Sequence, residues 1–136
     1  LYSAYLLDRQ TPAQIFSKRP ELKQLWQGDP EHQYGRPVTY YQQLQDLNLM
    51  AVWSQVKVPV LALHGEFDWI MSRDDPAILV SLVNRNAPGA AEFVELPQTG
   101  HTFEHYGSLE AAFAGNRLPF EPSVAARVTE WFDRHR

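Results

Sequence analysis

The sequence predicts an α/β fold built on a parallel sheet, and three observations carry that prediction. Val58 to His64 is a continuous apolar run between Lys57 and Gly65, too short for a helix and suited to a strand buried on both faces. Ala91 to Leu96 reads as a second strand. Between them lies a segment of helical spacing, and another amphipathic segment closes the chain. Strand, helix, strand, helix is the order of a parallel α/β unit.

The elements follow from local chemistry. Thr11-Pro12 pairs a capping hydroxyl with a proline at the first helical position, where its missing N–H costs nothing, and Ile15 and Phe16 give that helix an apolar side. Pro20 restarts a short helix bearing Leu22, Leu25 and Trp26, which Gly28-Asp29-Pro30 ends. Residues 29–38 read as polar and irregular. From Thr39 the spacing of Tyr40, Leu44, Leu47 and Ala51 predicts a further helix. Residues 1–50 thus read as a cluster of short helices. Beyond the first strand, Ser72-Arg73-Asp74-Asp75 has the capping-box pattern and opens a helix with Ile78, Leu79, Leu82 and Val83 on one face. Asn86-Ala87-Pro88-Gly89 stops it. Glu121-Pro122 starts the last helix, which carries Val124, Val128, Trp131 and Phe132.

Composition narrows the function classes. The chain has 136 residues, 44% hydrophobic and 21% charged, which suits one ordinary globular domain. Its net charge of -4, with no basic cluster, argues against a nucleic-acid partner. No apolar stretch reaches the roughly 18–20 residues of a membrane helix. Zero cysteines exclude disulfides, thiolate metal sites and a Cys nucleophile, and leave the compartment unknown. Leu1 is not an initiator Met, and two parallel strands are too few to cover their own faces and edges. A larger protein, with strands preceding this segment, is the expectation; failing that, a second copy would cover the open strand edge.

Open parallel sheets bind ligands beyond the carboxyl ends of their strands. Two loops qualify: His64-Gly65-Glu66-Phe67-Asp68 after the first strand and Gln98-Thr99-Gly100-His101 after the second. Each places a titratable residue on the same rim. An acid followed, one helix and one strand later, by a histidine is the order of a triad in which the acid holds the imidazole and the imidazole moves the nucleophile's proton.

At these residues the chain resembles the C-terminal part of the α/β-hydrolase superfamily. The resemblance covers roughly 47–136: a short helix, the V-P-V-L-A-L-H strand, a G-x-x-D turn, a helix, a strand, a G-H turn and a closing helix. It implies that Asp68 is the triad acid and His101 the general base, and that the helical segment 1–46 occupies the place of a cap or lid. Glu66 and Trp69, which flank the acid, are candidates for substrate contact, with packing as the alternative for Trp69. The implied chemistry calls for no metal or other cofactor.

The departure from the family is the nucleophile. None of the seven serines stands in a G-x-S-x-G elbow; Ser108 follows Gly107 but lies after His101, and Ser72 reads as a helix cap. The nucleophile, the oxyanion loop and the first strands are therefore expected in preceding sequence. The H-x-x-E-H pentad His101–His105 matches a zinc pattern, but it follows a strand end and Tyr106-Gly107 interrupts any helix. Asp74 and Asp75 are possible acids, better explained by the first turn of a helix. His64 reads as a buried, hydrogen-bonded histidine rather than a catalyst. The expected function is that of a serine hydrolase acting on a small-molecule ester or amide, esterase-like or peptidase-like. The alternative is a non-catalytic hydrolase-like module that binds a ligand or partner.

Overall fold

The computed structural model describes residues 1–116 and 118–136. They form two compact units, Leu1–Leu49 and Met50–Arg136. The fold is mixed α/β: a two-stranded parallel sheet and a two-stranded antiparallel pair among helices.

The first unit holds α1 (Tyr2–Leu6), α2 (Pro12–Lys18), a 3-10 helix (Pro20–Leu25), β1 (His32–Gln33), β2 (Arg36–Pro37) and α3 (Val38–Leu44). Thr11 and Gln14 close a full capping box at the start of α2. The core is aromatic. Tyr5, Ile15 and Trp26 are buried together, with the Tyr5 ring edge-on to Trp26 at 5.1 Å and Phe16 edge-on at 6.0 Å. Polar tips find partners, as buried aromatics require: Tyr5 Oη donates to the Val38 carbonyl and Trp26 Nε1 to that of Asp29.

Two expectations fail in this unit. Residues 29–38 are not irregular throughout: β1 and β2 pair antiparallel across Tyr34 and Gly35, whose φ angles of 49° and 73° make a tight hairpin turn. Strands of two residues leave no alternation for a sequence to display. The helix expected from Thr39 to Ala51 is broken into α3 and α4 (Leu49–Trp53). Asp46 and Asn48 favour turns over helix interiors, and Leu44 and Leu47 stay exposed, so no burial offsets that preference.

In the second unit, β3 (Val60–Gly65) pairs parallel with β4 (Ala91–Leu96), Val60 opposite Ala91 and Gly65 opposite Leu96. α5 (Asp74–Asn86) connects them and packs on both. Asn84 ties its end to the sheet: its amide donates to the Ala91 carbonyl and accepts from the Ala91 N–H, each at 2.8 Å. α6 (Leu109–Phe113), which the sequence reading does not anticipate, is capped by Ser108. α7 (Ser123–Arg134) buries Val124 and Trp131 and leaves Phe132 exposed.

Three details correct the sequence reading. β3 starts at Val60 rather than Val58, because Pro59 has no N–H for the ladder, and Val58 is 65% exposed. β3 is not buried on both faces: Ala62 and His64 are buried, while Leu61 and Leu63 are only partly so. A sheet of two strands cannot enclose them. Ser72 is not the cap of α5: Arg73 holds the N-cap position without a side-chain cap bond, and Ser72 Oγ, one residue earlier, accepts from the Asp74 N–H. Among the described residues no helix is long and apolar enough to cross a membrane.

Candidate active site

The site lies where β3 and β4 end. Parallel pairing in register brings both strand ends to one rim, and the turns after them interlock. The Glu66 N–H donates to the Leu96 carbonyl and the Phe67 N–H to that of Thr99, each at 2.9 Å. Glu66 adds a side-chain clasp, its Oε2 accepting from the Gln98 N–H at 2.8 Å. These contacts need a glycine on each side. A β-carbon on Gly65 would stand 2.2 Å from the Thr99 carbonyl oxygen, and one on Gly100 would stand 2.7 Å from the Tyr106 ring. Both turn glycines of the sequence pattern are thus explained by close approach.

Asp68 and His101 meet across this junction. His101 Nδ1 lies 2.9 Å from Asp68 Oδ2. The other carboxylate oxygen, Oδ1, accepts from the Ile70 N–H at 2.9 Å and the Met71 N–H at 3.0 Å. The Asp68 side chain is 6% exposed and the His101 side chain 36%. Burial alone would raise the Asp68 pKa; the Met71 N–H, the His101 imidazole and the Ile70 N–H outweigh it and hold the carboxyl below its ordinary value. Asp68 is therefore a carboxylate, which only accepts. Nδ1 of His101 must donate, and in the neutral ring the lone pair falls on Nε2.

The histidine loop is strained on both flanks. Gln98 and Phe103 adopt φ angles of 52° and 62°, a left-handed conformation that costs a non-glycine residue about 1–3 kcal/mol. Backbone bonds hold it: the Gly100 N–H donates to the Glu104 carbonyl at 3.0 Å and the Tyr106 N–H to that of Gln98 at 2.8 Å.

An open cavity of about 460 Å³ adjoins His101, lined also by Trp69, Ile70, Thr102, Tyr106 and Ala112. Trp69 is 51% exposed, not core; its ring meets Phe113 edge-on at 4.9 Å and its Nε1 donates to the Ala112 carbonyl. Of the two residues flanking the acid, Trp69 lines this cavity. Glu66 is instead engaged with the backbone of the histidine loop.

The chain matches no protein-family model, no curated protein and no solved structure. The geometry of the rim must therefore carry the functional reading.

The other candidates take structural positions. Asp74 and Asp75 lie in the first turn of α5. The H-x-x-E-H pentad is not helical: Thr99 and His105 form one bridge and Glu104 and Phe120 another. His101 faces Asp68, while His105 lies 3.4 Å from Glu121, so the two rings address different carboxylates. Sequence reasoning missed Phe113 and the Ile70 and Met71 amides. Phe113 belongs to a five-residue helix with little periodicity to show. The amides belong to an Asp-led turn, which Asp68 itself, a residue that favours such turns, could have suggested.

Proposed function

We propose that this chain is the C-terminal part of an α/β-hydrolase-type enzyme that cleaves an ester or amide through an acyl-enzyme, with Asp68 as acid and His101 as general base. The observation that supports the reading is the Asp68–His101 hydrogen bond at the carboxyl ends of adjacent parallel strands. A serine hydroxyl from preceding sequence attacks the carbonyl carbon, and its proton passes to Nε2 of His101. The imidazolium then returns that proton to the leaving alkoxide or amine, and water repeats the cycle to release the acid. Asp68 stays ionised throughout, fixing the ring and stabilising its positive charge. The exposed Trp69–Phe113 pair beside the cavity suits the apolar portion of such a substrate.

Turnover of p-nitrophenyl acyl esters by the full-length protein tests the proposal. Activity that falls about 10³-fold or more in His101→Ala is expected. Activity equal in the two proteins would remove His101 from the mechanism.

A further inference from the structure

The relay does not use His64, yet His64 is buried against the turn that carries Asp68. It is the penultimate residue of β3, and its side chain is 5% exposed. Its Nε2 lies 3.2 Å from the Met71 carbonyl oxygen, which only accepts, so Nε2 carries the proton. In the neutral ring Nδ1 is then a bare lone pair, and it is buried with no hydrogen-bond partner among the described residues. Glu95 Oε1 stands 3.9 Å away, beyond hydrogen-bond reach, and is held by Arg73 Nε at 2.8 Å.

Packing alone does not call for an imidazole at this position. An apolar side chain would fill the space without leaving a polar atom unpaired. The hydrogen bond that His64 does make goes to Met71, and the Met71 N–H is one of the two that grip Asp68 Oδ1. We propose that His64 is a positioning residue for Asp68: by holding the Met71 carbonyl, it fixes the turn whose amides aim the carboxylate at His101. The inference rests on the reading of Asp68 and His101 as acid and base. It adds a third side chain that acts on the imidazole through the acid, much as outer-shell groups orient metal ligands and catalytic groups.

Nitrogen-15 NMR of the histidine rings in the 136-residue chain tests the first step. In the neutral ring His64 should carry its proton on Nε2, with Nδ1 bare; the opposite tautomer would overturn the proposal. Two variants test the second step. His64→Leu removes the donor, whereas His64→Gln offers an amide N–H at a similar reach. In His64→Leu the Asp68 carboxyl titration, followed by carbon-13 NMR, should move up toward the ordinary range, and His101 should become a mixture of tautomers. His64→Gln should restore both. Unchanged Asp68 and His101 signals in His64→Leu would overturn the proposal. So would failure of His64→Gln to restore them, since the role would then be packing. If His64→Leu does not fold, the native tautomer and the Gln variant still decide. None of these readouts needs a nucleophile, so they fail or succeed separately from the ester-turnover test.

Discussion

Gly65 and Thr99 approach so closely that a β-carbon on Gly65 would lie 2.2 Å from the Thr99 carbonyl oxygen. That contact is backbone against backbone, and neither partner can rotate out of the way. It sets the spacing of the two turns, and through them the reach of Asp68 to His101.

Gly65→Ala should therefore push the turns apart. The expected loss of stability is about 1–3 kcal/mol, the usual cost of overpacking a site that cannot relax. Urea unfolding measures it. The Asp68–His101 bond should weaken in the same variant, seen as loss of the single His101 tautomer. A variant as stable as the native chain would show that the turns can separate without cost.

Asp68→Asn keeps the shape of the acid and replaces an obligate acceptor with a group that also donates. His101 can then present its lone pair to the amide, leaving a proton on Nε2, where a base needs none. In the full-length protein kcat for ester cleavage should fall by about 10⁴-fold. Because the pair acts as a unit, Asp68→Asn added to His101→Ala should cost little more than His101→Ala alone. Multiplying losses would show that the two residues act independently.

The depressed pKa of Asp68 has a consequence for stability. Its folded value lies below its unfolded value of about 3.9, so the unfolded state takes up the proton first as pH falls. The contribution is present above about pH 4 and is lost as pH drops through the folded value. Urea midpoints measured from pH 7 downward should fall more steeply below pH 4 in the native chain than in Asp68→Asn. Parallel curves would mean that the carboxylate is no better held in the fold than out of it.

Much of this site was legible because its chemistry is local. Strand ends, turn glycines and the order of acid and histidine are all written in short segments, and Asp68 and His101 follow from them. The hairpin of β1 and β2 was not legible, since two-residue strands carry no period and its turn places Tyr34 as well as Gly35 at positive φ. The break between α3 and α4 was hidden by apolar spacing that tertiary packing never uses: Leu44 and Leu47 remain in solvent. The same holds for β3, whose run of apolar residues anticipates neighbours on both faces. Among the described residues β3 pairs with β4 alone.

That open edge predicts association. Unpaired strand N–H and C=O groups beside exposed apolar surface favour pairing with another chain. Light scattering after size exclusion should give the isolated chain a mass above 15.7 kDa. A soluble monomer at high concentration would mean that the edge is protected within the chain.

Fluorophosphonate labelling tests the central claim most directly, because the reagent reports a nucleophilic serine with a working base. The full-length protein should be labelled on one serine that precedes this segment, and His101→Ala should abolish the label. The 136-residue chain alone, with base and acid but no elbow serine, should remain unlabelled. A full-length protein that takes no label, or a label that persists in His101→Ala, would contradict the reading of Asp68 and His101 as a hydrolase acid and base.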